Sequence, residues 1–292
     1  MALKVSVIVP AYNAGGEIGG CLDSLLSVDY PKGDYEVIVV DNNSDDSTAE
    51  VVKRYPVAYV FEGKRGSYNA RNAGVRISSG EFIAFTDADC IVDVSWFRRL
   101  LEGFQDPEVG VVGGSIRAYK PKTLVERYSA VRALPQDDFA SRRMPFAATA
   151  NAAFRRSVLE EAGLFDGSFS SGGDEEVCWR IKKKGYKIAY KPDAVVYHRH
   201  RKTAGELFSL YARYGRGQAM LYKKYGLRQI DVGGYLSIIV NILLKTPLRI
   251  LNSPWSSDKA LHVATPVLDA LAEAGFKAGC WEGSLKHKVV FV

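Results

Sequence analysis

One stretch of the sequence decides the fold class: Phe82-Ile83-Ala84-Phe85-Thr86-Asp87-Ala88-Asp89. Its apolar part predicts a buried strand, and Asp87 and Asp89 follow at the C-terminal end, where open α/β sheets bind ligands. In an extended chain, residues i and i+2 point the same way, so we expect both carboxylates to face one divalent cation. Such a cation would suit a diphosphate. The alternative is that both side chains only cap the following helix.

Predicted strands alternate with predicted helices on both sides of this stretch. The strands are expected at 5–9, 37–40, 57–61, 109–116, 147–154, 187–190 and 194–197, and the helices at 18–26, 67–77, 96–104 and 174–184. Ser47 with Glu50, and Ser157 with Glu160, have the spacing of capping boxes. This alternation predicts an α/β fold with a doubly wound sheet, parallel in its first half and mixed in its second.

The composition is that of a globular protein, with 47% hydrophobic and 25% charged residues among 292. We expect one catalytic domain with an appendage. The four cysteines are far apart and contain no C-x-x-C pair, which indicates a reducing compartment. The N-terminus has no signal-peptide pattern, so we expect a cytoplasmic protein, with the inner face of the cell membrane as a second location left open. No nucleic-acid partner is predicted.

Six motifs occur in the order found in one enzyme family. They lie at 5–13, 39–48, 70–74, 87–89, 151–156 and 172–180. Over roughly 4–200 the sequence resembles the inverting glycosyltransferases of family two. This resemblance implies the GT-A (Rossmann-like) fold and metal-dependent transfer of a sugar from a nucleotide diphosphate, in glycan or glycolipid synthesis. It implies a hexosyltransferase-type catalytic domain at 1–202, with halves at 1–106 and 107–202, and a helical extension at 203–292.

The end of the predicted second strand is the expected nucleobase site. Asp41 is placed there to accept a hydrogen bond from a base N–H, and Ala11 and Tyr12 would line the same pocket. The resemblance implies that these positions contact uridine, so UDP is the expected donor nucleotide. The alternative is that 41–46 is only a polar turn. The full predicted nucleotide-sugar set is Pro10, Ala11, Tyr12, Asn13, Asp41, Arg71, Asp87 and Ala88.

The diphosphate and the metal need charged partners. Arg71, where the resemblance places an arginine, can bind phosphate oxygens through its permanently charged guanidinium. Asp87 and Asp89 are expected to hold Mn²⁺ or Mg²⁺, with Asp89 the more direct ligand. The resemblance implies that His198 completes the metal site, and His200 is the neighbouring alternative. For Lys64 and Arg65, which precede Arg71 in a loop, two alternatives stay open: their charges are solvated, or they contact phosphate.

Three carboxylates, Asp174, Glu175 and Glu176, open a predicted helix, where the helix dipole favours negative charge. The resemblance implies a sharper role, because relatives have a Glu-Asp pair here with an arginine six residues after the Asp. Arg180 has that spacing from Asp174, which is therefore the predicted general base. Gly173 replaces the usual preceding acid, and Glu175 or Glu176 could substitute for it.

The C-terminal segment is helical, basic and aromatic. From 198 to 228 there are eight Lys or Arg residues against one acid, Glu206. The following run at 235–251 is apolar but includes Lys245 and Arg249, so it falls short of the roughly 20 apolar residues of a spanning helix. We expect an interfacial or hairpin-like helix that contacts an anionic membrane surface or a lipid-phosphate acceptor. A packed helical tail is the alternative. A last helix is expected at 264–274, ended by the glycines of 275–279.

Two other functions fit parts of the sequence. A phosphatase of the haloacid dehalogenase type also has Asp-x-Asp at a strand end, but on its first strand, whereas here three predicted strands precede the strand that leads to Asp87. A non-catalytic sugar-nucleotide-binding relative is the second alternative, although the full set of charged site residues argues for activity. Nucleotidyltransferases and dinucleotide enzymes need a glycine-rich loop after the first strand, and 10–13 is not one.

Overall fold

The computed structural model describes residues 5–132, 145–226, 232–251, 258–289 and 291. These residues form two compact units. The first unit comprises the described residues of 1–119, 134–168 and 173–199. The second comprises those of 120–133, 169–172 and 200–292. The domain boundaries expected from the sequence, at 106 and 202, stay predictions.

A mixed sheet of eight strands organises the first unit. The strands are β1 Val5–Ala11, β2 Tyr35–Asp41, β3 Ala58–Phe61, β4 Phe82–Thr86, β5 Cys90–Val92, β6 Val109–Ala118, β7 Asn151–Arg155 and β8 Lys187–His198. Their order across the sheet is β3-β2-β1-β4-β7-β6-β8-β5. The first four positions are parallel, and β7 runs antiparallel to both β4 and β6. The predicted doubly wound mixed sheet is therefore confirmed.

Helices connect the strands and form most of the second unit. In chain order they are α1 Ile18–Leu26, α2 Thr48–Val52, α3 Ser67–Ile77, α4 Trp96–Leu101, α5 Leu124–Arg132, α6 Arg156–Glu161, α7 Gly173–Lys183, α8 Ala204–Tyr225, α9 Val232–Val240, α10 Thr246–Leu251 and α11 Lys259–His287. A 3₁₀ turn at Glu102–Phe104 follows α4, and a π-helical turn at Asn241–Lys245 joins α9 to α10. The second unit contains α5 and α8 to α11.

The centre of the sheet is buried on both faces, which explains why β1 and β4 are apolar without alternation. Trp96 is fully buried in this core, and its indole N–H donates to Asn151 Oδ1 at 2.7 Å. The Asn151 amide in turn donates to the carbonyl oxygens of Ser115 and Ala194, each at 2.8 Å. Asn151, a residue of one of the six motifs, thus ties β7 to β6 and β8.

Both predicted capping boxes are wrong. Ser47 precedes α2, but its side chain makes no capping hydrogen bond. Ser157 lies inside α6, which begins at Arg156 directly after β7. Spacing alone did not reveal this, because a capping box requires two further conditions. The serine must precede the first turn of the helix, which Ser157 does not, and its side chain must accept from the backbone three residues on, which that of Ser47 does not.

The end of the sheet differs from the sequence prediction in two places. The predicted strand at 147–154 begins only at Asn151. The two strands predicted at 187–190 and 194–197 form one strand, β8, whose pairing with β6 is irregular between Gly114 and Ser115. Pro192 lies at this irregularity, and proline has no N–H to donate to a neighbouring strand.

The last helix is longer than predicted. α11 runs unbroken through the glycines that were expected to end it. A Cβ atom at Gly275 would lie 2.6 Å from the Phe208 carbonyl oxygen of α8, and one at Gly279 would overlap the Ala212 carbonyl oxygen. The glycines therefore allow the two helix backbones to approach closely and are not breaks.

The C-terminal residues of the sequence lie partly outside the described ranges. Leu285 belongs to α11, Phe291 is buried, and Val290 and Val292 lie outside the described ranges. After α5, residues 133–144 also lie outside the described ranges. No helix within the described ranges combines the length and apolar character needed to cross a membrane.

Candidate active site

The carboxyl ends of three parallel strands lie at one edge of the sheet. Ala11 and Asp41, the last residues of β1 and β2, are register partners. β4 lies on the other side of β1, in parallel, and Asp87 follows its last residue, Thr86. Parallel strands end at the same edge, so the predicted nucleotide and metal residues converge there.

Asp41 is buried and held by two donors. Its Oδ1 accepts from the Ser44 backbone N–H at 2.9 Å, and its Oδ2 accepts from the Tyr59 hydroxyl at 2.8 Å. Burial, together with the hydrogen bond to Asp41, raises the pKa of Tyr59 to about 12, so the hydroxyl remains a donor. Each carboxylate oxygen has a second acceptor position, so Asp41 can still accept from a ligand.

Tyr12 and Arg65 form an exposed pair at the end of β1. The Arg65 guanidinium lies 4.6 Å from the centre of the Tyr12 ring and donates to its hydroxyl at 2.7 Å. Arg65 thus contacts an aromatic ring, a partner that the sequence did not indicate. The neighbouring Asn13 has φ +49°, and its side chain donates to Asp45 Oδ1 and accepts from the Asp45 backbone N–H. Pro10 and Ala11 are buried in β1.

Asn42 fixes the loop that leads into α3. Its amide donates to the carbonyl oxygens of Glu62 at 3.0 Å and Lys64 at 2.8 Å. Its Oδ1 accepts from the Gly66 backbone N–H at 2.7 Å. Gly66 has φ +125°, which favours glycine. These bonds set where α3 begins and therefore where its side chains meet the sheet edge.

Arg71 lies on α3 and is almost fully buried. Its Nη2 is 2.6 Å from Asp87 Oδ1. Its Nε is also buried and has no hydrogen-bond partner among the residues that the structure describes. The guanidinium lies 5.4 Å from the centre of the Tyr68 ring. A buried cation with an unused donor is suited to an anionic ligand, because leaving such a donor unpaired is costly.

Asp87 and Asp89 contact different partners. The Cys90 N–H donates to the Asp87 carbonyl oxygen at 3.0 Å, so 87–90 forms a turn and the prediction of an extended segment is wrong. Asp87 pairs with Arg71, whereas Asp89 Oδ1 lies 3.4 Å from His198 Nε2. The pairing of β5 with β8 brings His198 there, because Cys90 and His198 are register partners. Ala88, which separates these two residues in the sequence, is buried.

The Asp89 and His198 side chains fit a divalent cation. One ligand atom from each, together with Cys90 Sγ, lies within 4.8 Å of the others. A carboxylate oxygen and an imidazole nitrogen are suitable ligands for Mn²⁺. The Cys90 thiol donates to Asp89 Oδ1 at 3.8 Å, and a sulfur ligand is less suited to Mn²⁺ or Mg²⁺ than oxygen or nitrogen. His200, the alternative to His198, lies beyond the end of β8.

Asp174 is half-buried near the start of α7. Its Oδ1 accepts from the Tyr68 hydroxyl and from the Glu175 N–H, each at 3.1 Å, and its Oδ2 accepts from the Thr149 N–H at 3.4 Å. Burial raises the pKa of this carboxyl above its usual value, while the positive charge of Arg71 and these hydrogen bonds oppose the rise. The result is a half-buried carboxylate that is held by donors and close to a cation.

Glu176 forms an ion pair with Arg180 on the same helix. It is fully buried, and its two carboxylate oxygens accept from the Arg180 Nε at 2.9 Å and Nη2 at 2.7 Å. Arg180 also donates to the carbonyl oxygens of Ala162 and Leu164. The predicted substitution of Glu176 for the missing acid therefore has no support in this geometry.

Three contacts of the site escaped the sequence analysis. Tyr59 holds Asp41, Tyr68 holds Asp174, and the Thr149 backbone contacts the same carboxylate. A weak signal existed for Tyr68, which lies three residues before Arg71 and so on the same side of a helix. Tyr59 lies on a strand predicted beside Asp41. Nothing in the sequence indicated Thr149, because a backbone N–H is present in every residue type except proline.

The sequence is similar to those of known glycosyltransferases. Residues 6–163 match the model of glycosyl transferase family 2. The glycosyltransferase AglE of Haloferax volcanii is 35% identical over 253 residues, which cover 83% of this chain and 82% of AglE. A dolichyl N-acetyl-alpha-D-glucosaminyl phosphate 3-beta-D-2,3-diacetamido-2,3-dideoxy-beta-D-glucuronosyltransferase of Methanococcus voltae is 22% identical over 324 residues, covering 98% of this chain and 99% of the relative.

Two solved structures have the same fold. The mannosyltransferase PcManGT from Pyrobaculum calidifontis, in complex with GDP-Man and Mn²⁺, has a TM-score of 0.68 at 23% identity, covering 97% of this chain and 88% of PcManGT. S. aureus TarS 1–349, in complex with UDP-GlcNAc, has a TM-score of 0.57 at 17% identity, covering 99% of this chain and 93% of TarS 1–349. The protein is thus a glycosyltransferase with a GT-A fold. The chain belongs to glycosyl transferase family 2.

Proposed function

We propose that the chain moves a sugar, with inversion, from a UDP-sugar to a hydroxyl of a lipid-linked or glycan acceptor, with the help of a divalent cation. The observation that carries the proposal is the set of charged groups in one compact unit. Asp41 can accept a hydrogen bond from the nucleobase, and Arg71 can donate to an anion. Asp89 with His198 supplies a metal site, and Asp174 supplies a half-buried carboxylate. Each is a separate requirement of transfer from a nucleotide diphosphate.

Donor binding would use Asp41 and Arg71. Asp41 accepts a hydrogen bond from the nucleobase, next to Pro10, Ala11, Tyr12 and Asn13 at the end of β1. The unused Arg71 Nε donates to a diphosphate oxygen, while Asp87 keeps the guanidinium in place at 2.6 Å. The uridine preference rests on the family resemblance around Asp41, since the two structural neighbours hold GDP-Man and UDP-GlcNAc respectively.

Asp89 and His198 would hold Mn²⁺ or Mg²⁺. When bound, the cation neutralises negative charge that develops on the leaving diphosphate. Asp87 stays a predicted ligand through the carboxylate oxygen that does not contact Arg71, and Ala88 would lie beside the donor.

Asp174 would act as the general base. It takes the proton of the acceptor hydroxyl as that oxygen bonds to the anomeric carbon, and the bond from this carbon to the diphosphate breaks. Inversion in one displacement requires the acceptor to approach from the side opposite the diphosphate, so the base must lie outside the metal cluster. The burial that raises the pKa of Asp174 makes it a stronger base, and Arg71 opposes its protonation at neutral pH.

A lipid-linked acceptor agrees with the surface of the second unit. From 232 to 251 the sequence has no acidic residue but has Lys245 and Arg249. Eight large apolar side chains of this segment are exposed: Leu236, Ile239, Ile242, Leu243, Leu244, Leu248, Ile250 and Leu251. Apolar and basic side chains together favour an anionic lipid surface. The Methanococcus voltae relative is named for a dolichyl phosphate substrate. We therefore propose peripheral membrane contact through 203–292.

Ligand-induced stabilisation of the full chain tests the donor proposal. UDP-, GDP- and dTDP-sugars are added with and without Mn²⁺, and a ligand present at 100 times its dissociation constant should add about 2.7 kcal/mol of stability. UDP-sugars should raise the melting temperature most, and only when Mn²⁺ is present. A clear first rank for GDP- or dTDP-sugars would refute the uridine choice.

Two variants complete this experiment. Asp89→Asn removes a carboxylate of the proposed metal site and should abolish the Mn²⁺-dependent part of the shift while the unliganded protein still melts cooperatively. Asp29→Asn changes an exposed carboxylate paired with Arg98 and should behave like the wild type. An unchanged Mn²⁺-dependent shift in Asp89→Asn would remove Asp89 from the metal site.

A further inference from the structure

Tyr68 reaches from α3 to the Asp174 carboxylate on α7. Its ring is buried and stacks on Phe165, with the ring centres 5.6 Å apart and the planes 24° from parallel. The Arg71 guanidinium lies near the ring as well, at 5.4 Å from its centre. The position of the hydroxyl is therefore set by packing of the ring, and the hydroxyl lies 3.1 Å from Asp174 Oδ1.

Gly173 makes room for this ring. A Cβ atom at residue 173 would lie 2.7, 2.8 and 2.9 Å from three ring atoms of Tyr68, which is closer than real side chains approach. Gly173 is the first residue of α7 and does not have the positive φ that favours glycine. The glycine is thus required by space and not by backbone conformation. Any side chain there would push the Tyr68 ring away from Asp174.

The two oxygens of the Asp174 carboxylate differ in their surroundings. Oδ1 accepts from the Tyr68 hydroxyl and from the Glu175 N–H, both at 3.1 Å. Oδ2 accepts one longer hydrogen bond, from the Thr149 N–H at 3.4 Å. A carboxylate oxygen that already has two donors has little remaining capacity, so Oδ2 is the better proton acceptor.

We propose that Tyr68 is a positioning residue for sugar transfer, whose hydroxyl fixes Oδ1 of Asp174 so that Oδ2 takes the acceptor proton. This inference rests on the proposed function, because it requires Asp174 to be the general base. In the step, the acceptor O–H proton moves to Oδ2, the acceptor oxygen bonds to the anomeric carbon, and the diphosphate leaves with the electrons of the broken C–O bond. Tyr68 neither gains nor loses a proton.

The charges around Asp174 agree with this role. Burial, together with the negative charge of Asp174, raises the pKa of the Tyr68 hydroxyl well above its usual value, so it remains a donor. Arg71 on α3 stabilises the ionised Asp174 carboxylate. On α7, Glu175 follows directly, and burial raises the pKa of the Cys178 thiol, which keeps it neutral. Removing the Tyr68 hydroxyl therefore removes one donor and no charge.

Tyr68→Phe tests the inference through the pH dependence of turnover. Turnover of the full chain is followed as UDP release from the UDP-sugar that gives the largest thermal shift. The ionised carboxylate is the active form, and losing a hydrogen bond to it raises its pKa. As the pH is lowered, the variant should therefore lose activity at a higher pH than the wild type does. The acid limb of its pH profile should move up by about one pH unit, and turnover on that limb should fall about tenfold. Affinity for the nucleotide should not change.

Matched variants separate this outcome from a structural effect. Tyr35→Phe removes a hydroxyl that donates to the Leu25 carbonyl oxygen at 3.3 Å, and should leave the pH profile unchanged. Gly173→Ala should move the acid limb in the same direction as Tyr68→Phe, and should cause no further shift when the two are combined. An unmoved acid limb in a folded Tyr68→Phe variant would overturn the inference. Full turnover in Asp174→Asn would instead overturn the base assignment in the proposed function.

Discussion

At the scale of single residues, the site contains buried charges that do not favour stability. Arg71 and Asp87 form an ion pair whose arginine is 5% exposed, and Asp174 lies close enough for Arg71 to lower its pKa. Removing such charges from water costs several kcal/mol per ion, which pairing offsets only in part. A group of ionisable side chains held at this cost, with an unused donor on Arg71, is typical of a functional site.

Asp174→Asn is the prediction that belongs to this scale. The substitution preserves size but removes basicity, so transfer should fall by about 10²- to 10⁴-fold, the usual contribution of general-base catalysis. Binding of the donor nucleotide, measured by titration calorimetry, should be retained because Asp41 and Arg71 are unchanged. Glu175→Gln on the same helix is the control and should keep most of the activity. The base would be reassigned to Glu175 if Asp174→Asn kept more than a tenth of wild-type turnover while Glu175→Gln lost it.

At the scale of elements, two features bring distant residues together. The loop anchored by Asn42 sets the start of α3, which carries both Tyr68 and Arg71. The antiparallel pairing of β5 with β8 places His198 beside Asp89. The first feature uses hydrogen bonds from a short, buried side chain to the backbone, and the second uses the backbone ladder between two strands.

The pairing of α8 with α11 gives a stability prediction. A methyl group at Gly279 would overlap the Ala212 carbonyl oxygen, so Gly279→Ala should lower the free energy of unfolding by about 1 to 3 kcal/mol. Gly205→Ala, also in a helix, meets nothing within 4 Å and should instead stabilise by about 0.5 to 1 kcal/mol. Urea unfolding followed by circular dichroism measures both. Equal effects of the two substitutions would mean that α8 and α11 do not pack through these glycines.

At the scale of the whole molecule, charge and apolar surface are unevenly distributed. The net charge is +6, and the stretch from 198 to 228 alone has eight basic residues against one acid. The segment 232–251 then exposes large apolar side chains on α9, the π-helical turn and α10. Exposed apolar groups beside basic charge bind anionic lipid through both burial and electrostatic attraction.

Vesicle flotation of the full chain tests this surface. Binding to vesicles that contain phosphatidylserine should exceed binding to phosphatidylcholine alone and should weaken as salt rises. Combined Leu243→Ser, Leu244→Ser and Leu248→Ser should reduce binding at least tenfold, since each CH₂ group buried in lipid contributes about 0.8 kcal/mol. Ile77→Ser with Val94→Ser, two exposed positions of the first unit, is the matched control. Equal flotation of both variants would contradict the membrane role of 232–251.

The sequence by itself determined the fold class and the main candidates for the site. Hydrophobic runs such as 5–9 and 82–85 could be recognised as buried strands and are buried strands. They could be recognised because the length and periodicity of an apolar run are local properties of the sequence. Carboxyl ends of parallel strands meet at one edge, so Asp41 and Asp87 could be assigned to the same edge before any coordinates. His198 and Asp174 came from the family resemblance and not from local physics.

The tertiary structure decided what each of these side chains contacts. Sequence spacing could not show that 87–90 turns, so that Asp87 pairs with Arg71 while Asp89 meets His198. It also could not distinguish a glycine that ends a helix from Gly279, which allows a second helix to approach. Both outcomes depend on residues that are distant in sequence and close in space. Non-local packing of this kind is absent from any local pattern, and it also brings Tyr68 to Asp174.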